Sequence, residues 1–275
     1  MNHLRYIFLL FILIPGILFT SSAQRKDPVR VELSANLDME DYNLVPCHSN
    51  GILVFFESEK KGNEPDSRVW HFAFYDKNLR QKWLADTALI TGVKFKGFSH
   101  DDNNTWLLFL DSDRQKSEYN LQILKVDYNL NEFEVIDILA PEKSEPAHFS
   151  VHNDRALIAY NNTRFMPWLQ FIDLQNGSST KTQPELEGLN IIQEVKRDTE
   201  NGKYLLVVDN YLDKKQNAIL ILRVDNNGQI ENTRKVNTAL EKKVINEARI
   251  ASMRGDTLLL MGTYSNYVSK VGENQ

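Results

Sequence analysis

The sequence predicts an all-β fold, an array of four-stranded antiparallel sheets with about four complete and a fifth partial. Three observations carry this reading. An apolar run followed by aspartate and an Asn- or Gly-bearing turn occurs four times: HFAFYDKNL (71–79), LQILKVDYNL (121–130), WLQFIDLQNG (168–177) and AILILRVDNNG (218–228). The aspartates, Asp76, Asp127, Asp173 and Asp225, lie 51, 46 and 52 residues apart, and a period near 50 residues marks a repeat architecture. The runs are also apolar on both faces of an extended chain. In 121–130, Leu121 and Ile123 fall on one side and Leu124 and Val126 on the other. A lone antiparallel sheet in water shows one polar face, so sheets apolar on both sides require like sheets on both sides.

Taken in order, the chain begins with Arg5 and then 13 apolar residues (7–19) interrupted by Pro15 and Gly16. Ser21, Ser22 and Ala23 then place small residues where a signal peptidase reads, so residues 1–23 are expected to be a secretory signal peptide. The 13-residue run falls short of the ~20 residues that span a bilayer. No stable membrane span is therefore expected after its removal. Residues 24–42 form an N-terminal segment in which 29–37 alternates apolar and polar residues, the pattern of a half-buried strand. The repeats follow at 43–91, 92–146, 147–189, 190–240 and, in part, 241–275.

Each repeat divides into four strands. The second is the most apolar, at 51–56, 105–110, 155–160, 203–208 and 256–261. The third is the recurring run itself. First strands are expected at 43–47, 92–98, 148–152, 191–196 and 244–251, and fourth strands at 80–84, 132–138, 178–183 and 229–236. Asn, Asp and Gly between them supply turns, since Asn and Asp bond their own backbone and Gly accepts positive φ. Thr238 and Glu241 have capping-box spacing. A helical turn is therefore expected at 238–243 before the period restores a strand from Val244.

Four-stranded antiparallel units of this size are blades. Over about residues 43–264 the chain resembles β-propeller repeat proteins of the exported bacterial type. It has no Trp-Asp dipeptide closing a blade, no Gly-Gly doublet, no Ser-x-Asp-x-Gly box and no Ser-Pro-Asp-Gly, so the pattern names an architecture and no specific family. The fifth repeat lacks third and fourth strands. A bare blade face forfeits roughly 1.5–3 kcal/mol for each large side chain left unburied, so the array reads as incomplete and as part of a longer propeller.

The net charge of −5 without a basic block excludes a nucleic-acid partner, whose phosphates need Lys and Arg. Cys47 is the single cysteine, so no intrachain disulfide forms. The resemblance implies that loops joining second to third strands, and fourth to first, share the face on which ligands bind. An acid or amide follows the second strand at Glu57, Asp111, Asn161 and Asp209. Lys61, Arg114 and Arg164 add cations, and Tyr211 and Tyr264 add aromatic rings. Together they are the candidate ligand-binding residues, for an anionic or sugar-like ligand. The plain reading is that they are solvated hairpin tips.

No catalytic residue is assigned: no Gly-x-Ser-x-Gly elbow and no Gly-rich phosphate loop is present. No metal or cofactor is expected. Asp111 and Asp113 lack the further oxygens of a calcium loop. His100, Asp101 and Asp102 sit in a turn that favours Asp anyway. His148 and His152 share a strand face about 13 Å apart, too far for one ion. The function expected is an exported, non-catalytic binding or scaffold module recognising a protein, peptide or glycan. The alternative is a propeller hydrolase or lyase, or an accessory propeller of a larger hydrolase.

Overall fold

The structure, a computed structural model, describes residues 42–111, 119–162, 164–198, 201–213, 216–236, 244–254 and 257–265. All regular elements among them are strands. The first sheet comprises β1 (Asn43–Cys47), β2 (Gly51–Lys61), β3 (Ser67–Asp76) and β4 (Gln81–Ile90). The second comprises β5 (Val93–His100), β6 (Asn104–Asp111), β7 (Tyr119–Asp127) and β8 (Glu132–Ala140). The third holds β9 (Ser144–His152), β10 (Arg155–Asn162), β11 (Trp168–Asp173) and β12 (Ser179–Thr182). The fourth holds β13 (Leu189–Arg197), β14 (Tyr204–Asp213), β15 (Gln216–Val224) and β16 (Ile230–Val236). A last pair, β17 (Val244–Arg254) and β18 (Thr257–Ser265), completes the described chain. Strands pair antiparallel in sequence order throughout. The fold is thus all-β and propeller-like, with an incomplete fifth sheet. The expected signal peptide, the strand expected at 29–37 and the helical turn at 238–243 lie outside the described residues.

The recurring aspartate makes the turn between third and fourth strands. Its Oδ1 accepts two backbone N–H groups in three of the four repeats: from Asn78 and Arg80 at Asp76 (2.8 and 3.0 Å), from Asn129 and Leu130 at Asp127 (2.8 and 3.0 Å), and from Asn227 and Gln229 at Asp225 (2.8 Å each). Asp173 accepts one, from Gln175, at 2.9 Å. Each turn then passes through a positive φ: Leu79 (59°), Asn131 (57°), Gly177 (70°) and Gly228 (85°).

Second strands are buried on both faces, as their composition demands. Leu107 and Phe109 pack toward the first sheet against Phe55, Phe72 and Trp70. Leu108 and Leu110 point the other way, into a cluster with Ile158, Tyr160 and Ile172 of the third sheet. Along β10, Leu157 and Ala159 join Leu206 and Val208 of the fourth sheet. Along β14, Leu205 and Val207 meet Ala248 and Ile250 of the last pair. The second, third and fourth sheets are therefore each wedged between two others.

First strands of successive sheets run beside one another, β1 by β5, β5 by β9, β9 by β13 and β13 by β17. As edge strands, they hold N–H groups that no ladder satisfies, and neighbouring sheets supply acceptors. Ser99 Oγ accepts from Val151 N at 2.9 Å, and Glu194 Oε2 from Ile250 N at 2.5 Å. Asn161 clamps Ile192 twice, accepting its N–H at 2.8 Å and donating to its carbonyl at 3.0 Å. Further out, Gln122 accepts from Ile90 N at 2.8 Å and Gln170 donates to Leu139 O at 3.1 Å. The register shifts by one residue in β5, β9 and β13, a bulge that adds twist where the sheets converge.

Both ends of the described array show apolar faces. On the first sheet Leu44 and Leu84 are 63% and 64% exposed beside Ile52, Val54, Ala73 and Tyr75. On the last pair Leu259 and Met261 are 55% and 66% exposed.

Candidate functional site

The ends of the second strands and the starts of the first strands share one face. There Asp111 pairs with Val93, Asn161 with Glu145 and Asp209 with Ile191. This loop face also carries the connection 141–143 between β8 and β9 and the connection between β10 and β11.

The structure places the expected residues unevenly. Glu57 and Lys61 lie on β2 rather than in a loop, because the hairpin ladder continues through its polar tip, with Lys61 opposite Arg68. Glu57 is half-buried, 4.0 Å from Arg68 Nε. Asp111 and Asp209 are buried. The Tyr211 hydroxyl donates to Asp209 Oδ2 at 2.8 Å. Tyr211 is itself buried on β14, and burial, together with the Asp209 carboxylate, raises its hydroxyl pKa above the ordinary tyrosine value. Asn161 is engaged by Ile192. Tyr264 is exposed on β18. Arg114 lies outside the described residues. Arg164 borders a cleft.

That cleft has a volume of about 300 Å³ and is lined by Pro141, Glu142, Lys143, Asn162, Arg164, Trp168 and Lys181. Local chemistry builds it. Asn162 Oδ1 accepts the N–H groups of Arg164 and Met166, each at 3.0 Å, curling the loop so that Arg164 projects into solvent. Phe165 takes a φ of 56°, and its carbonyl accepts Asn190 N at 2.7 Å, tying the loop to the fourth sheet. Across the cleft, Lys143 takes a φ of 51° and Ser144 Oγ donates to Glu142 O at 3.1 Å. Lys181 arrives through β12, whose Thr182 pairs with Leu169 next to Trp168.

Three cations therefore surround one half-buried indole, with Glu142 the single carboxylate in the lining. The arrangement attracts anions, and Trp168 offers a surface for a flat or sugar-like group. Lys143 and Lys181 escape the sequence reading because each looks like an ordinary solvated lysine. The usable signal was that 141–143 is a fourth-to-first connection and so belongs to the loop face.

No protein-family model and no curated protein matches the chain. Solved structures do. The cobalt-substituted apocarotenoid oxygenase of Synechocystis aligns at 12% identity and a TM-score of 0.43, over 76% of this chain and 51% of that one. A mutant of the same oxygenase aligns at 12% identity and 0.43, over 80% and 54%. A chimera of that oxygenase with RPE65 aligns at 13% and 0.40, over 76% and 52%. This chain thus spans about half the length of these structures. The expectation of a non-catalytic module is not borne out by this comparison, whose solved structures are oxygenases. At this level of likeness no substrate, metal or residue role passes from them to this chain.

Proposed function

We propose that the chain is the exported propeller part of a larger hydrolase and that it holds an anionic substrate, an acidic glycan, on its loop face. The cleft of Lys143, Arg164 and Lys181 around Trp168 carries this reading. Cations spaced around an aromatic surface are the groups that an acidic sugar needs: positive charge for its carboxylates or sulfates, and an apolar plane for its ring. The loop-face carboxylates of the described residues do not present a catalytic pair to this cleft. Asp209 is engaged by Tyr211, and Asp111 is buried within the second sheet. The cleft's part in the reaction is to bind and orient substrate.

Kinetics of the full-length protein on an acidic oligosaccharide, with a neutral one as control, test this. Each exposed charge pair contributes about 0.2–1 kcal/mol. Replacing Lys143, Arg164 and Lys181 together by Ala is expected to raise KM for the acidic substrate about tenfold and to leave kcat nearly unchanged. Hydrolysis of the neutral substrate alone, or a KM that ignores the triple substitution, contradicts the proposal.

A further inference from the structure

The fourth sheet turns one face toward β17 and β18, and that face is not apolar throughout. Leu205 and Ile221 pack there with Ile250 and Leu258. The same rows of the sheet carry charge. Arg223 on β15 lies opposite Leu205 on one side and Asn232 on the other, and Arg234 on β16 lies opposite Ile221. Opposed residues share a face, so both arginines stand on the seam with the last strand pair. Arg234 is the diagonal neighbour of Arg223, roughly 7–8 Å away and within reach for long side chains. The seam holds a cavity of about 100 Å³, lined by Arg223, Asn232 and Arg234 on one side and by Met253, Thr257 and Leu258 on the other. No carboxylate is among its described lining residues, and among the described residues neither arginine has an ion-pair partner. Acidic groups close to them in the chain are engaged elsewhere: Glu231 with Lys203 at 2.6 Å, and Asp225 with the N–H groups of its own turn. Like charges on neighbouring strands repel, and an anion between them reverses that sign.

We propose that Arg223 and Arg234 form an inter-sheet site for a tetrahedral oxyanion, a phosphate or sulfate group. A guanidinium fork meets such oxygens with two N–H groups at a time. The Asn232 amide and the Thr257 hydroxyl add neutral donors from the two sides of the seam. A carboxylate has two oxygens, which one fork satisfies, whereas a tetrahedral oxyanion has further oxygens for the second fork and the neutral donors. The cavity, at about 100 Å³ against about 300 Å³ for the loop-face cleft, takes the charged group, and a sugar attached to that group stays in solvent. The two sites share no lining residue, so this one is separate from the cleft of Lys143, Arg164 and Lys181. Through Thr257 the bound group joins the last strand pair to the fourth sheet.

Backbone amide shifts of the full-length protein test the site, followed by NMR while sodium sulfate, inorganic phosphate or a sulfated monosaccharide replaces sodium chloride at constant ionic strength. Wild type is expected to show saturable shifts at Arg223, Thr257 and Leu258 that fit one dissociation constant. Arg223→Gln and Arg234→Gln should each weaken binding roughly tenfold or more, the size of a hydrogen bond to a charged group. Lys235→Gln removes the same charge from the opposite face of β16, the face packed toward the third sheet, and should bind as wild type does. Arg234 is exposed, so Arg234→Gln remains informative if the Arg223 variant fails to fold. Saturation by the inorganic ions alone identifies a free ion as the ligand, and saturation by the sulfated sugar as well identifies an ester group. No saturable shift with any of the three, equal affinity for acetate, or unchanged affinity in Arg234→Gln overturns the proposal.

Discussion

Asp76, Asp127, Asp173 and Asp225 recur because one carboxylate oxygen can hold the turn's backbone while the chain reverses. Removing it leaves turn N–H groups to water and the positive-φ residue without its anchor. Asp225→Ala is expected to lower stability by about 1–2 kcal/mol, from two hydrogen bonds of ~0.5–1.5 kcal/mol each; denaturant unfolding measures it, with Asp225→Asn recovering part of the loss. Gly51 answers to a different constraint. Its φ is 146°, and a Cβ there would stand 1.8 Å from Tyr75 O, a backbone atom that cannot step aside. Gly51→Ala should therefore destabilise more than the Asp225 change.

His148 links a single residue to pH. Burial pushes its pKa down to about 4, from the ordinary 6.5. Between those values the unfolded chain takes up a proton that the native one refuses, so stability is full above pH 6.5 and falls as pH drops toward 4. In chemical unfolding from pH 7 to 4, the stability of wild type relative to His148→Gln should decline across that window. A constant difference would show that His148 is protonated alike in both states. In the sequence His148 looks like any strand residue, since the packing that desolvates it is tertiary.

At the scale of elements, interleaved side chains on the second strands hold the sheets together. Phe109, fully buried with Phe55, Trp70 and Phe95 around it, sits at the centre of one such interface. Phe109→Ala is expected to cost about 3–5 kcal/mol, through lost burial and the cavity left behind. The strands themselves were legible because period and apolar pattern agree. Their ends were less so: β2 runs on to Lys61 and β14 to Asp213 through residues that read as loops. A polar hairpin tip needs no burial to stay paired, so hydropathy cannot mark where it stops. The clamps between sheets were illegible for another reason. Ser99 reaches Val151 and Asn161 reaches Ile192 only once the repeats are laid side by side.

Over the whole molecule, doubly apolar sheets stack with their first strands adjacent, and the loops and turns separate onto two faces. One face bears the cationic cleft and the other the contact between the His48 and His100 rings. The loop face was legible as a region, through the order of strands. Of its expected residues only Arg164 reaches the cleft, since whether a side chain lies free or is engaged by a neighbour depends on the register between sheets. Because the cleft acts through exposed charge, binding of an acidic substrate should weaken as salt shortens the Debye length from about 10 Å at 0.1 M to about 3 Å at 1 M. A KM indifferent to salt would point to an uncharged contact.

The stacking itself is tested most directly by amide exchange at Val151. Its N–H is bonded to Ser99 Oγ of the neighbouring sheet. Wild type should protect this amide, and Ser99→Ala should speed its exchange about tenfold, the equivalent of a ~1.4 kcal/mol bond, while Leu157 on the adjoining strand stays protected. Rapid exchange at Val151 in wild type, or a rate untouched by Ser99→Ala, would contradict the wedged arrangement of sheets.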